Sequence, residues 1–272
     1  RFLCTSRSSL NYKGKCIYVG DSVLIESIDY NSMRAVICDV KPRKNYLQRP
    51  ALANLNKICI VISAKRPNLN IDQATRFLMT AEEAKIDILF ILTKVDLLLE
   101  KEQNDILSRV NKWGYDCIPL SNKTGEGIDL FSKSLKAESN IVLCGPSGVG
   151  KTSLMNHLIS GISLQVRSLS KRIQRGQNTT RNVELFSLGN GARLADTPGF
   201  NRPEIHILPK NLQWLFPEIT IQLKNKKCKF RDCLHNEEIG CSINKDWERY
   251  FLYKKYLLQL IDSHYSYQGG LN

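Results

Sequence analysis

Two sets of residues have types and spacings that could do chemistry. The first is Gly145-Pro146-Ser147-Gly148-Val149-Gly150-Lys151-Thr152, with Ser153 opening the run behind it. Glycines at these intervals let backbone amides turn inward and cradle phosphate oxygens. Lys151 can then reach the outer phosphates, and the Thr152 hydroxyl can ligate Mg²⁺. An apolar run, Asn140–Cys144, precedes the glycines, and a helix-like run, Ser153–Ile159, follows them. Strand, glycine turn and helix in that order separate a phosphate-binding loop from a chance glycine turn. The second set is Cys228, Cys233, His235 and Cys241, spaced C-x4-C-x-H-x5-C. Three thiolates and one imidazole suit a closed, structural Zn²⁺ site with no open position for catalysis. The spacing departs from the C-x2-C of common fingers. Free cysteines with a surface histidine remain one alternative, and a disulfide is the other.

Three shorter stretches add a base and a metal-bound water. Thr93-Lys94-Val95-Asp96 offers a carboxylate that can accept two hydrogen bonds, from the ring N–H and the exocyclic amine of guanine. Adenine lacks that donor pair and would leave the carboxylate unpaired, which favours GTP over ATP. Ser121-Asn122-Lys123 can present a backbone amide to the guanine O6, and Asp196-Thr197-Pro198-Gly199 can hold a Mg²⁺-bound water through Asp196 and the γ-phosphate through the Gly199 amide. These resemble the NKxD, Ser-Ala-Lys and DxxG boxes of GTPases. Thr93 stands where Asn is usual, with an expected loss of loop bracing. His157, His206 and His264 are isolated and are assigned no role.

Elements must bring these boxes together. The chain has 272 residues, with 42% hydrophobic and 24% charged residues, enough for about two globular domains. It begins at Arg1, as a fragment or trimmed chain would. No apolar run approaches the ~18 residues of a membrane span. A net charge of +13 favours a polyanionic partner. Six of the nine cysteines, Cys4, Cys16, Cys38, Cys59, Cys117 and Cys144, stand singly and read as small buried hydrophobes in a reducing compartment. Residues 1–45 read as β, with strands at 15–19, 22–26 and 34–40, a basic partial barrel of the OB type that either binds RNA or is purely structural. Residues 41–50 read as a basic linker. From 57 onward strands and helices alternate: strands at 57–64, 86–92, 116–120 and 140–144, helices at 72–84, 101–113 and 127–135. That rhythm predicts a doubly wound, mostly parallel sheet, with ligand loops at the strand C-termini. Residues 164–182, rich in Arg and Lys and free of acids, read as a long mobile loop. A hairpin follows around Gly189-Asn190-Gly191. A helix is expected over 246–261. The division expected is 1–45, 46–206 and 207–272.

In a usual GTPase the phosphate loop comes first; here the base-reading boxes precede it, so the domain is circularly permuted. A permuted GTPase between a basic OB-like barrel and C-x4-C-x-H-x5-C resembles the RsgA (YjeQ) family of small-ribosomal-subunit biogenesis GTPases. Val19-Gly20-Asp21, Arg49–Asn54 and Gly176–Thr180 fit that family as well. The resemblance implies GTP/GDP with Mg²⁺, one structural zinc, and hydrolysis stimulated by the 30S subunit while the maturing 16S rRNA is checked. It places Asn178, Thr179 and Thr180 in the catalytic switch beside Asp196 and Gly199. The family usually carries His where Asn178 stands, and Phe200 occupies the Gln position of Ras-like proteins. The alternative is therefore a GTP-gated RNA-binding module with negligible hydrolysis. A monomer in a bacterial or cyanobacterial cytoplasm is expected, with no membrane partner; an organellar stroma or matrix would look the same in sequence.

Overall fold

Runs of Ile, Val and Leu with little polar interruption make strands buried on both faces. In the computed structural model, which describes residues 1–12, 14–47, 50–137, 139–160, 183–188, 190–196 and 207–269, such runs form the centre of one six-stranded sheet. Its strands are β6 (Lys57–Ser63), β7 (Asp87–Thr93), β8 (Cys117–Pro119), β9 (Asn140–Cys144), β10 (Glu184–Ser187) and β11 (Arg193–Asp196). Their spatial order is β10-β11-β9-β6-β7-β8. Only the β10–β11 hairpin is antiparallel. The chain runs outward from β6 through β7 to β8, returns to the far side of β6 as β9, goes to the edge as β10 and turns back as β11 beside β9. The strand order therefore reverses between β6 and β9, where a crevice opens at the strand C-termini.

Alternation along β6 divides the core. Ile58, Ile60 and Ile62 face α2 (Ile71–Glu83) and α3 (Glu100–Lys112), packing with Phe77, Val110 and Trp113. Cys59 and Val61 face α4 (Ile128–Ser134) and α5 (Lys151–Ser160), packing with Phe131, Leu154 and Leu158. The expected strands and helices of this part lie within a few residues of their predicted places. The Asn70 side chain caps α2 by accepting from the Gln73 amide, which fixes its start.

The N-terminal segment holds β1 (Leu3–Ser6), α1 (Ser8–Tyr12), β2 (Val23–Asp29) and β3 (Arg34–Val40), in the order β1-β3-β2. Register shifts at Leu24/Ile25 and Glu26/Asp29 bend the β2–β3 ribbon, as a partial OB-like barrel requires. Two expectations are corrected here. Residues 15–18 form no strand; Val19 alone bridges to Leu52. Gly20 sits so close to the next segment that a Cβ there would meet the Ala53 carbonyl oxygen at 2.2 Å. The stretch 41–50 is also no free linker. β4 (Tyr46–Leu47) pairs with β5 (Leu52–Ala53), and Arg43 clamps the Asp21 carboxylate at 2.7 and 2.8 Å. Asn54 Nδ2 donates to the Gly20 carbonyl at 3.0 Å. The two short motifs at 19–21 and 50–54 thus meet in space.

The C-terminal segment has a core of its own. A 3₁₀ run (Pro209–Leu215), α6 (Pro217–Leu223) and α7 (Tyr250–Gly269) gather Leu212, Phe216, Ile219, Tyr253 and Leu257, and Met79 of α2 completes the cluster. The helix expected from 246 begins at Tyr250 because the preceding residues turn inward. Arg249, fully buried, makes two parallel bonds to Glu218, at 2.7 and 2.6 Å. Its guanidinium carbon lies 5.2–5.8 Å from the Phe216, Trp113 and Tyr115 rings. Nη1 has no oxygen partner, and the surrounding ring faces are its compensation. Breaking such a pair from one side costs ~3–5 kcal/mol in general. Glu248 beside it takes the Trp113 indole N–H at 2.8 Å and the Arg109 guanidinium. The segment therefore docks on α2, α3 and the turn before β8, contacts the sequence order alone did not suggest.

Burial of the lone cysteines is mixed. Cys59 and Cys144 are buried, and loss of solvent pushes the Cys59 thiol up to about 12. Cys4, Cys38 and Cys117 are half-buried, and Cys16 is exposed on its strandless segment. Among the described residues no helix is long and apolar enough to cross a membrane.

Candidate guanine-nucleotide site and metal centre

The phosphate loop leaves β9 at Gly145, whose φ of 142° is open only to glycine. A Cβ there would meet the Val61 carbonyl oxygen at 2.2 Å. Space and backbone conformation both demand the residue the sequence supplies. The loop, Gly145–Gly150, delivers the chain to α5, which starts at Lys151. Thr152 and Ser153 lie exposed in its first turn, where free amides and the helix dipole favour an anion. The Lys151 ammonium donates to the Gly145 and Pro146 carbonyls, both at 2.7 Å. Burial lowers its pKa. Two of its three donors hold the loop, and the third remains for a phosphate oxygen.

The base-reading loops are tied to this loop. Thr93, buried at the end of β7, has its hydroxyl 2.6 Å from the Val149 carbonyl and 3.0 Å from the Ile62 carbonyl. A hydroxyl has one proton, so the shorter contact is the donated bond. The Thr93 hydroxyl thus ties the end of β7 directly to the phosphate loop. Lys94, at φ 61°, opens the 3₁₀ turn Val95–Leu97 and donates to the Gly148 carbonyl at 2.7 Å and to that of Arg66. Ser121 donates to Asp96 Oδ1 at 2.6 Å and accepts the Lys123 and Thr124 amides at 3.2 Å. Asn122 Nδ2 donates to the Gly150 carbonyl at 3.1 Å. Asp96 is exposed to a cleft of about 670 Å³, lined also by Lys94, Asn122, Lys123, Ser153 and His157. Pockets for small ligands span ~300–1,000 Å³.

Asp196 ends β11. Ala195 pairs with Val142 in the parallel register, so the chain leaves the sheet at Asp196 on the edge from which β9 enters the phosphate loop. For Asp196 only the backbone is described. Asn178, Thr179, Thr180 and Gly199, like the whole basic stretch 164–182, lie outside the described residues. His157, given no role from sequence, stands in the cleft with Nε2 2.8 Å from the Asn122 carbonyl. Its placement depends on α5 packing beside the 121–123 loop, which a sequence does not display.

The four metal-ligand candidates converge. One ligand atom from each of Cys228, Cys233, His235 and Cys241 lies within 4.8 Å of the others. His235 Nδ1 is 3.6, 3.5 and 3.6 Å from the Sγ atoms of Cys228, Cys233 and Cys241. A tetrahedral zinc ion, with sulfur at about 2.3 Å and nitrogen at about 2.0–2.1 Å, puts each S–N edge at roughly 3.5 Å. The donor set fits. Nε2 of the same ring stands 2.8 Å from Gln213 Oε1, which can only accept. The proton therefore sits on Nε2, and Nδ1 aims its lone pair at the thiols. Burial lowers the His235 pKa. Gln213 carried no signal in the sequence.

A family model described as RsgA GTPase matches residues 40–206. The chain is 53% identical over 273 residues to "Small ribosomal subunit biogenesis GTPase RsgA" of Prochlorococcus marinus strain NATL2A, covering 99% of this chain and 86% of that protein. The chain belongs to the RsgA GTPase family. It is accordingly a GTP-hydrolysing enzyme. Two solved structures agree with the RsgA assignment. The crystal structure of YjeQ from Thermotoga maritima superposes with a TM-score of 0.79 at 30% identity, covering 96% of this chain and 90% of that one. "YloQ, a circularly permuted GTPase" gives 0.77 at 27% identity, covering 96% and 87%. The circular permutation read from the box order is thus a property of this RsgA GTPase. Its reaction uses GTP and GDP with Mg²⁺. Bound Mg²⁺ would supply positive charge against the phosphates, and Lys151 with the amides of Gly145–Gly150 are the groups of this chain placed to hold phosphate oxygens.

Proposed function

We propose that this GTPase acts on the small (30S) ribosomal subunit late in its maturation, hydrolysing GTP under stimulation by 16S rRNA. In this reading Asp96 reads guanine, with Thr93, Lys94, Val95 and Ser121–Lys123 shaping the base loops. Gly145–Ser153 holds the phosphates. Thr152 and Asp196 serve Mg²⁺, and Asn178, Thr179, Thr180 and Gly199 respond to the γ-phosphate. The chain divides at 45/46 and 206/207, its zinc is held by the Cys228 cluster, and it works as a monomer in a bacterial cytoplasm. The name of the Prochlorococcus relative supplies the small subunit as partner.

The observation that carries the proposal is a cationic ridge fixed to the nucleotide domain. Lys224, Lys226, Lys227 and Lys229 are all exposed, beside the metal cluster. Their segment is held to α2 and α3 by Glu248, which accepts the Trp113 indole N–H, by the Arg249 guanidinium over the Trp113 ring, and by Tyr256, whose hydroxyl bonds Asp72 at 2.5 Å. A polyanion bound at the ridge presses on the domain that binds GTP. Small subunits should bind roughly tenfold tighter with a non-hydrolysable GTP analogue than with GDP, a coupling in the usual range. Sedimentation across a salt series measures this. The affinity should fall with salt in proportion to the phosphates neutralised. Equal affinities in both nucleotide states would refute the coupling.

A further inference from the structure

We infer that His157 is a positioning residue for base recognition, acting through Asn122. The inference rests on the base site proposed above and adds a residue to it. His157 lies on α5, the helix that begins at Lys151, and its Nε2 is 2.8 Å from the Asn122 carbonyl oxygen. A carbonyl only accepts, so Nε2 carries the proton and donates. Asn122 is held from the other side by its own Nδ2, which donates to the Gly150 carbonyl at 3.1 Å. One residue of the base loop is thereby pinned at two points to the phosphate loop and its helix.

What this pinning does follows from the amides of the loop. The Lys123 and Thr124 amides turn back onto the Ser121 hydroxyl, each at 3.2 Å. Among the hydrogen bonds of the described residues, none uses the Asn122 amide, so it is the one this loop can offer to the guanine O6. Its direction depends on the torsions of Asn122, and His157 and Gly150 fix that residue at its carbonyl and its side chain. His157 touches neither base nor phosphate in this role. It holds the donor that does, and it joins selection of the 6-oxo group to the helix that carries Lys151. The side-chain Oδ1 of Asn122 is buried without a partner. The bonds that hold position 122 are therefore those of its carbonyl and its Nδ2.

The test compares GTP with 6-thioguanosine triphosphate. The analogue keeps the N1–H and 2-amine that Asp96 would accept, and replaces O6 by sulfur, a weaker acceptor. Wild type should prefer GTP. His157→Phe keeps a ring but removes the donor. It should lower GTP affinity by roughly five- to tenfold, the size of one modest hydrogen bond, and lower analogue affinity far less. His157→Gln restores an N–H near the Nε2 position and should regain most of the preference. Thermal melts of both variants report whether the fold is intact. If His157→Phe weakens GTP and the analogue equally, or if His157→Gln behaves like His157→Phe, the positioning role is wrong. If wild type itself shows no preference, the base-site reading fails instead.

Discussion

Asp96→Asn should cost the protein its affinity for GTP and confer affinity for xanthosine triphosphate. The direction follows from Ser121. Its oxygen already accepts two amides, so its single proton must be donated, and in the wild type it goes to Asp96 Oδ1. In the variant the same proton seeks the amide oxygen. The NH₂ then turns to the base, where guanine presents two donors and xanthine a second carbonyl. Each hydrogen bond to a charged acceptor is worth ~1.5–3 kcal/mol. GTP affinity should therefore fall by at least about a hundredfold, and the xanthine nucleotide should bind comparably to GTP in the wild type. Calorimetric titration with both nucleotides measures the exchange. A variant that binds GTP within threefold of wild type would remove Asp96 from base reading.

Metal removal should act mainly on residues 207–269. The ligand cluster closes the turn between α6 and α7, and His235 is one of its few buried polar residues. Tyr253 donates to the Leu234 carbonyl at 2.6 Å, and Tyr250 to the Asn236 carbonyl at 2.8 Å, so the cluster also sets the register of α7. An ion present at a thousand times its Kd contributes ~4 kcal/mol. For a chain of this size that is roughly 8–16 °C in Tm. Elemental analysis should give one zinc per chain. Chelation should lower the melting temperature by that amount, with Cys233→Ala reproducing the loss without chelator. A folded preparation free of zinc, or a melt unmoved by chelation, would contradict the assignment.

The nucleotide loops were legible because they are local. Gly145 is dictated by its own φ and by contact with the adjacent strand, and the strand–turn–helix setting is contiguous in sequence. The parallel sheet was legible for a related reason: strands buried on both faces must be apolar throughout. What sequence could not show depends on long-range partners. Nothing near Thr93 in sequence shows that its hydroxyl meets Val149, 56 residues away. Gln213 and His157 are ordinary polar residues until the 3₁₀ run Pro209–Leu215 meets His235 and α5 meets the 121–123 loop. The helix expected from 246 starts late because Arg249 turns inward to Glu218, 31 residues away, and Glu248 to Trp113, 135 residues away. The misplaced strand at 15–19 has the same cause. Val19 and Gly20 pack on residues 52–54, a contact that no local pattern distinguishes from a hairpin.

The central claim is that GTP hydrolysis at this site answers to the small ribosomal subunit. Phosphate release by the purified chain, measured with GTP at saturating levels and with small or large subunits added in turn, tests it most directly. The account predicts turnover at least about tenfold faster with small subunits, no comparable gain with large subunits, and loss of both basal and stimulated activity in Lys151→Ala. Equal rates with and without small subunits, or equal stimulation by either subunit, would contradict it.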